Sequence, residues 1–146
     1  MRFIYWVEIS FCEQLIFDII SRFAIFLMER IIAERFAEQW VAAWNNHDIE
    51  VIMQHYADNV NFNSPFVSEM GIDINGFITN KIELKKYFEK ALHKNPELHF
   101  DLLHILVGGN SVVMFYKRMN KSFAGEYVEL DENCKIICSR SHYSQK

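Results

Sequence analysis

The chain has 146 residues with a net charge of −4; 51% of its side chains are hydrophobic, 23% are charged and 15% are aromatic, thirteen of them Phe. That length suits one domain with a core of its own, and with no run of Lys or Arg longer than a pair there is no electrostatic footprint for nucleic acid. Three cysteines, Cys12, Cys134 and Cys138, cannot close a disulfide framework, and their odd number fits a reducing compartment, the cytoplasm.

Residues 1–28 are apolar, yet Glu8, Glu13, Asp18 and Arg22 interrupt every uncharged run before the ~18 residues a spanning helix needs. Glu8 cuts the apolar region a secretory signal requires, and no small-residue cleavage site follows. Gln14, Asp18, Ser21, Arg22 and Glu29 gather on one helical stripe, so from about Cys12 the segment reads as an amphipathic helix running into the next one. Either it is an added helix packed on the domain or on a partner subunit, or Met28 is the natural start and the preceding residues are an upstream extension. The polar stripe is not basic, which argues against membrane-surface binding.

From Glu29 the pattern is clean. Ile32, Phe36, Trp40, Ala43 and Trp44 recur at three- and four-residue steps, one apolar face of a helix. Asn45 and Asn46 stop it, and Asp48 is an N-cap for a second helix over 49–55. A turn is expected at 57–59, then a strand over 60–64 closed by Pro65, in which Val60, Phe62 and Ser64 alternate with asparagines. Residues 66–80 carry two glycines and read as a hairpin or a loop with short strands. A third helix follows, capped by Asn80 and burying Ile82, Leu84, Tyr87, Phe88, Ala91 and Leu92, with Asn95-Pro96 as its end. Four β-rich runs, 98–107, 111–119, 122–130 and 135–143, are joined by turns short enough to force antiparallel neighbours. The sum is an α+β domain over 29–146, with three helices on a mostly antiparallel sheet and an extra helix before them.

Cys134 and Cys138 lie roughly 13 Å apart if both sit on one strand, so they can neither bridge nor share an ion. His99 and Asp101 share a strand face, which reads as solvated; no metal and no cofactor is expected, since no Gly-rich phosphate loop and no nucleophile with an adjacent base is present.

The order of elements, together with WVAAWNNHD (40–48), HYADNVNFNSP (55–65), NGFITNKIELKKYFEKAL (75–92), LDENCKI (130–136) and SRSHY (139–143), resembles the nuclear-transport-factor-2-like superfamily and its SnoaL-like branch over about residues 29–143. The resemblance implies a curved sheet wrapped round helices, leaving a conical apolar pocket. It implies isomerase, cyclase or dehydratase chemistry without a cofactor on a small hydrophobic molecule, or a non-catalytic ligand-binding or dimerisation module, commonly a homodimer. In the isomerases of that superfamily one Asp takes the proton while a Tyr and a protonated Asp hold the oxyanion. Matched through the quoted motifs, these positions fall on Ser64, Trp40 and Glu126. Two of the three depart from the pattern, which argues against steroid-type isomerisation by that mechanism.

Glu126 also stands out without the resemblance. Along 123–130, Ala124, Glu126, Val128 and Leu130 share one face, and Phe123, Gly125, Tyr127 and Glu129 the other. One parity makes Glu126 a lone acid in an apolar lining, and the other puts it in water. Trp40, Trp44 and Tyr116 are candidate walls, and Tyr56 is expected at the helix-to-strand corner with its hydroxyl on a backbone group. His142 and Tyr143 point to opposite faces, so only one of them can look inward. His142 is the candidate partner of Glu126 in an acid–base couple, and Trp40, Ser64 and Tyr143 are candidates for orienting a substrate.

Overall fold

The structure, a computed structural model, describes residues 11–144. Helix α1 (Phe11–Asn45) is one unbroken helix of 35 residues, so the extra helix and the first helix of the domain are continuous. Its two halves differ. Ala33, Phe36, Ala37, Trp40, Val41, Ala43 and Trp44 are buried, whereas Leu15, Ile16, Phe17, Ile19 and Ile20 are all at least half exposed. These five residues are therefore not packed on the domain, and Ile32, expected in the buried stripe, also faces solvent.

The corner after α1 is built from short polar side chains. Asn45 donates its Nδ2 to the carbonyl of Phe100 (3.0 Å) and accepts the Phe100 N–H on its Oδ1 (2.8 Å), so one side chain does for Phe100 what a neighbouring strand would. His47 takes a left-handed backbone conformation, and Asp48 caps α2 (Ile49–Gln54) by accepting from the N–H groups of Glu50 and Val51.

Strand β1 (Tyr56–Asn63) begins four residues earlier than its hydrophobic alternation suggests. The expected turn at 57–59 is instead part of β1, whose pairing with β6 shifts register between Tyr56 and Asn61. Pro65 does not merely close the strand. It opens a short helix, α3 (Pro65–Glu69), at the first-turn position where a missing N–H costs nothing, with Ser64 as N-cap. The 66–80 segment is thus a helix, a turn and a two-residue strand, β2 (Phe77–Ile78), rather than a hairpin. Helix α4 (Lys81–Lys94) is capped by Asn80 as expected and buries Leu84, Tyr87 and Phe88; Ile82 is instead exposed.

Strands β3 (Phe100–Val107), β4 (Ser111–Arg118), β5 (Phe123–Leu130) and β6 (Ile136–Tyr143) form the expected antiparallel meander. The sheet is open and curved, with strand order β2-β1-β6-β5-β4-β3 and one parallel pair, β1 with β6. Helix α1 packs across β3, and α4 packs on β1 and α2. Between these layers lies an aromatic core. Trp40 stacks on Phe100 at 5.9 Å between ring centroids, and Trp44 meets Phe88 edge-on at 4.7 Å. Pairs of this kind add about 0.5–1.5 kcal/mol beyond their buried area. No helix among the described residues is long and apolar enough to cross a membrane.

Candidate functional site

A cavity of about 280 Å³ lies between the concave face of the sheet and helices α1, α3 and α4, walled largely by rings that include Trp40, Trp44, Phe62, Tyr87, Phe100 and Tyr116. Glu126 enters it because β5 has the first of the two possible parities: Ala124, Glu126 and Val128 are buried, and Phe123 is 39% exposed. A carboxyl group so placed loses its water, and burial raises its pKa to about 7 even though hydrogen bonds from Ser139 and Ser141 favour the charged form. Both serine hydroxyls donate to the same oxygen, Oε1, the second at 3.1 Å. Oε2 is left without a donor among the described residues.

Beside the acid stand phenols. Tyr56 is buried, and its hydroxyl accepts from Trp40 Nε1 at 3.2 Å, a side-chain partner where a backbone one was expected. Burial first, and the nearby Glu126 charge second, raise the pKa of the Tyr56 hydroxyl, so it keeps its proton at any physiological pH. The same two causes, in the same order, raise Tyr116 and Tyr143. Trp44 Nε1 is buried and also points toward the Tyr56 hydroxyl, without reaching hydrogen-bond geometry with any described residue.

Strand β6 settles which of its last residues looks inward. Ser139, Ser141 and Tyr143 share Glu126's side of the sheet, and Tyr143 lines the cavity. His142 pairs with Gly125, is exposed, and has Nδ1 3.1 Å from the carbonyl oxygen of Arg140. The His142–Glu126 couple therefore does not form: the alternation of the strand puts the two side chains on opposite faces. Ser64 is fully buried but stands outside the cavity lining; its Oγ accepts from the Phe66 N–H (3.3 Å) and lies 3.4 Å from the Tyr143 hydroxyl. His99 and Asp101 form a solvated pair, 3.3 Å apart and more than half exposed. Among the described residues no group of three or more His, Cys, Asp or Glu could hold a metal ion.

Residues 37–130 match the family model of the SnoaL-like domain. The chain belongs to the SnoaL-like family. No curated protein sequence matches it. Among solved structures, a SnoaL-like protein of unknown function from Burkholderia thailandensis E264 superposes with a TM-score of 0.74 at 29% identity, covering 77% of this chain and 94% of that one. A candidate isomerase of the SnoaL-like family from Agrobacterium tumefaciens (TM-score 0.62, 18% identity, 77% and 97% covered) shares the fold. So does a candidate polyketide cyclase from Sinorhizobium meliloti (TM-score 0.62, 8% identity, 74% and 94% covered).

Several residues that shape this SnoaL-like cavity carry no signal that singles them out in the sequence. Ser139 and Ser141 read as strand-surface serines, although their spacing of two, set against Glu126 across a short turn, is the pattern of a paired donor set. Arg118 reads as the charged end of a strand; its guanidinium lies over the rings of Phe66 (5.2 Å) and Tyr143 (4.9 Å). Phe66 and Glu69 reach the cavity only because α3 exists.

Proposed function

We propose that this SnoaL-like protein binds a small, mostly apolar carbonyl compound in the cavity and moves a proton on it with Glu126, as a cofactor-free isomerase, cyclase or dehydratase. One observation carries this: a carboxyl group buried in an aromatic cavity, with a pKa of about 7 and one oxygen free of protein donors. Near neutral pH such a group is present in both protonation states, the condition under which one carboxyl can accept a proton and return it.

In the first step Glu126 Oε2 takes a proton from the carbon beside the carbonyl, and the electron pair moves to the carbonyl oxygen. The Tyr56 hydroxyl, which accepts from Trp40 and still holds its own proton, is placed to donate to that oxygen. This gives the site a phenol donor although Trp40 occupies the matched Tyr position. Return of the proton to a second carbon isomerises the compound. Delivery to a departing hydroxyl dehydrates it, and attack of the enolate on a second carbonyl cyclises it. Ser64, under α3 and outside the lining, has no place in this scheme; Tyr116 and Tyr143 shape and orient.

Solvent deuterium exchange at the carbon next to the carbonyl, followed by NMR over a panel of small aromatic and alicyclic ketones, tests the reading. Exchange should rise with pH through about 7, and Glu126→Gln should slow it by roughly 10²–10⁴-fold. Exchange by the variant at the wild-type rate would sink it.

A second reading, a non-catalytic module that acts as a homodimer, is favoured by one feature of the outer sheet face. Phe115 and Phe123 stack there at 5.5 Å while remaining more than a third exposed. Light scattering on Phe115→Asp decides it: an unchanged mass excludes this face as the dimer surface.

A further inference from the structure

Arg118 ends β4 on the inward side of the strand, in line with the buried Met114 and Tyr116, and lines the cavity. It is half-buried, its guanidinium carbon lies 5.2 Å from the Phe66 ring centroid and 4.9 Å from that of Tyr143, two rings that pack on each other, and it makes no ion pair among the described residues. Two other charged side chains reach the rim, Lys94 from α4 and Glu69 from α3; both are exposed and neither is bonded to Arg118. A guanidinium without a side-chain hydrogen bond or ion pair among the described residues, close to two aromatic rings at the cavity wall, is equipped to receive a carboxylate or an ionised enol.

Register gives the distance to the acid. Glu126 pairs with Met114, and Arg118 lies four residues further along the same strand, about 13 Å at the usual rise. The two form no ion pair, and each lines the same cavity.

We infer that the ligand of this site is an anion: an apolar, ring-bearing body with a carboxylate or equally acidic group on Arg118 and its reacting carbon next to Glu126. The inference rests on the proposed function and adds the chemical class of the substrate to it. Neutral steroids and simple ketones leave the Arg118 end empty, and they are then poorer ligands than acids of the same shape.

The test compares 2-naphthoate with 2-naphthamide, near-isosteres that differ in charge, by titration calorimetry on the full chain at pH 7. The acid should bind about tenfold or more tightly, as expected for one charge-assisted pair, and its affinity alone should fall with added salt. Arg118→Gln should remove the preference and leave the amide within about threefold, while Arg118→Lys restores part of it. Repeating the pair on Glu126→Gln excludes a hydrogen bond between the two acids as the source; the preference should survive. Equal binding of acid and amide to the wild type overturns the anion inference and leaves the carbonyl-binding cavity standing. Binding of neither to folded protein overturns both. Should Arg118→Gln fail to fold, the wild-type ratio and its salt dependence decide, since a preference that ignores salt also overturns the inference.

Discussion

Ser141 Oγ donates to Glu126 Oε1 at 3.1 Å, and the two residues face each other directly in the β5–β6 ladder. The bond is thus set by strand register rather than by a loop, which fixes which carboxyl oxygen is occupied. A hydrogen bond to the charged form lowers an acid's pKa, so Ser141→Ala should move the Glu126 midpoint upward from about 7. Carboxyl ¹³C shifts over a pH series would show it; a midpoint that stays or falls would contradict the bonding described.

Glu126 also makes stability depend on pH. Its folded pKa is about 7 against an ordinary 4.5, so between those values the folded state binds more protons than the unfolded one. The contribution is fully present below about pH 4.5 and is lost as pH rises through about 7. Glu126→Gln should therefore melt near wild type at pH 4.5 and higher at pH 8, by an amount on the order of 3 kcal/mol or several degrees. Parallel melting curves across that range would mean that the acid is not buried uncompensated.

Gly76 has φ of +79°, and a Cβ there would lie 2.7 Å from the carbonyl oxygen of Ser64. Both the backbone conformation and the contact oppose a side chain, so Gly76→Ala should cost about 1–3 kcal/mol. Gly125→Ala is the control, because a Cβ there meets nothing within 4 Å. Urea midpoints for the two variants should differ clearly, and equal midpoints would refute the contact.

Removal of the Asn45 side chain orphans both backbone groups of Phe100, a buried residue at the start of β3. Asn45→Ala should cost about 1–3 kcal/mol. Asn45→Asp keeps the acceptor and loses the donor, so it should fall between. Chemical denaturation of the three proteins orders them; an alanine variant as stable as wild type would show that water replaces the amide without loss.

What was legible in the residues was whatever repeats. The three- and four-residue spacing of Phe36, Trp40, Ala43 and Trp44, the alternation of Val60 and Phe62, and the turns between β3 and β6 all survive into the structure, because periodic burial is what forms these elements. Helix α3 has five residues, too few for a period, and its Ser64-Pro65 start reads equally well as the end of a strand. The parity of β6 was not readable: Ser139 and Ser141 inside alternate with Arg140 and His142 outside, so polarity marks neither face. Glu126 stood out as a lone acid in line with Ala124, Val128 and Leu130, but only the structure decides which parity of β5 faces inward. The apolar residues near the start of α1 left several readings open, and the exposure of Leu15, Ile16, Phe17, Ile19 and Ile20 speaks only against packing on the domain of the same chain.

The parallel pairing of β1 with β6 joins Tyr56 to Ile136 and Phe62 to Ser139. Because β6 carries both serine donors of Glu126, no part of the polar floor can assemble until translation has delivered that strand clear of the ribosome. The helices and the β3–β5 hairpins can form earlier from local contacts, whereas β1 must wait with its edge unpaired for the seconds that synthesis of the intervening residues takes. Until β6 inserts, β1 and β5 each present a bare edge to solvent, and shielding of those two edges is what the nascent chain needs in that interval.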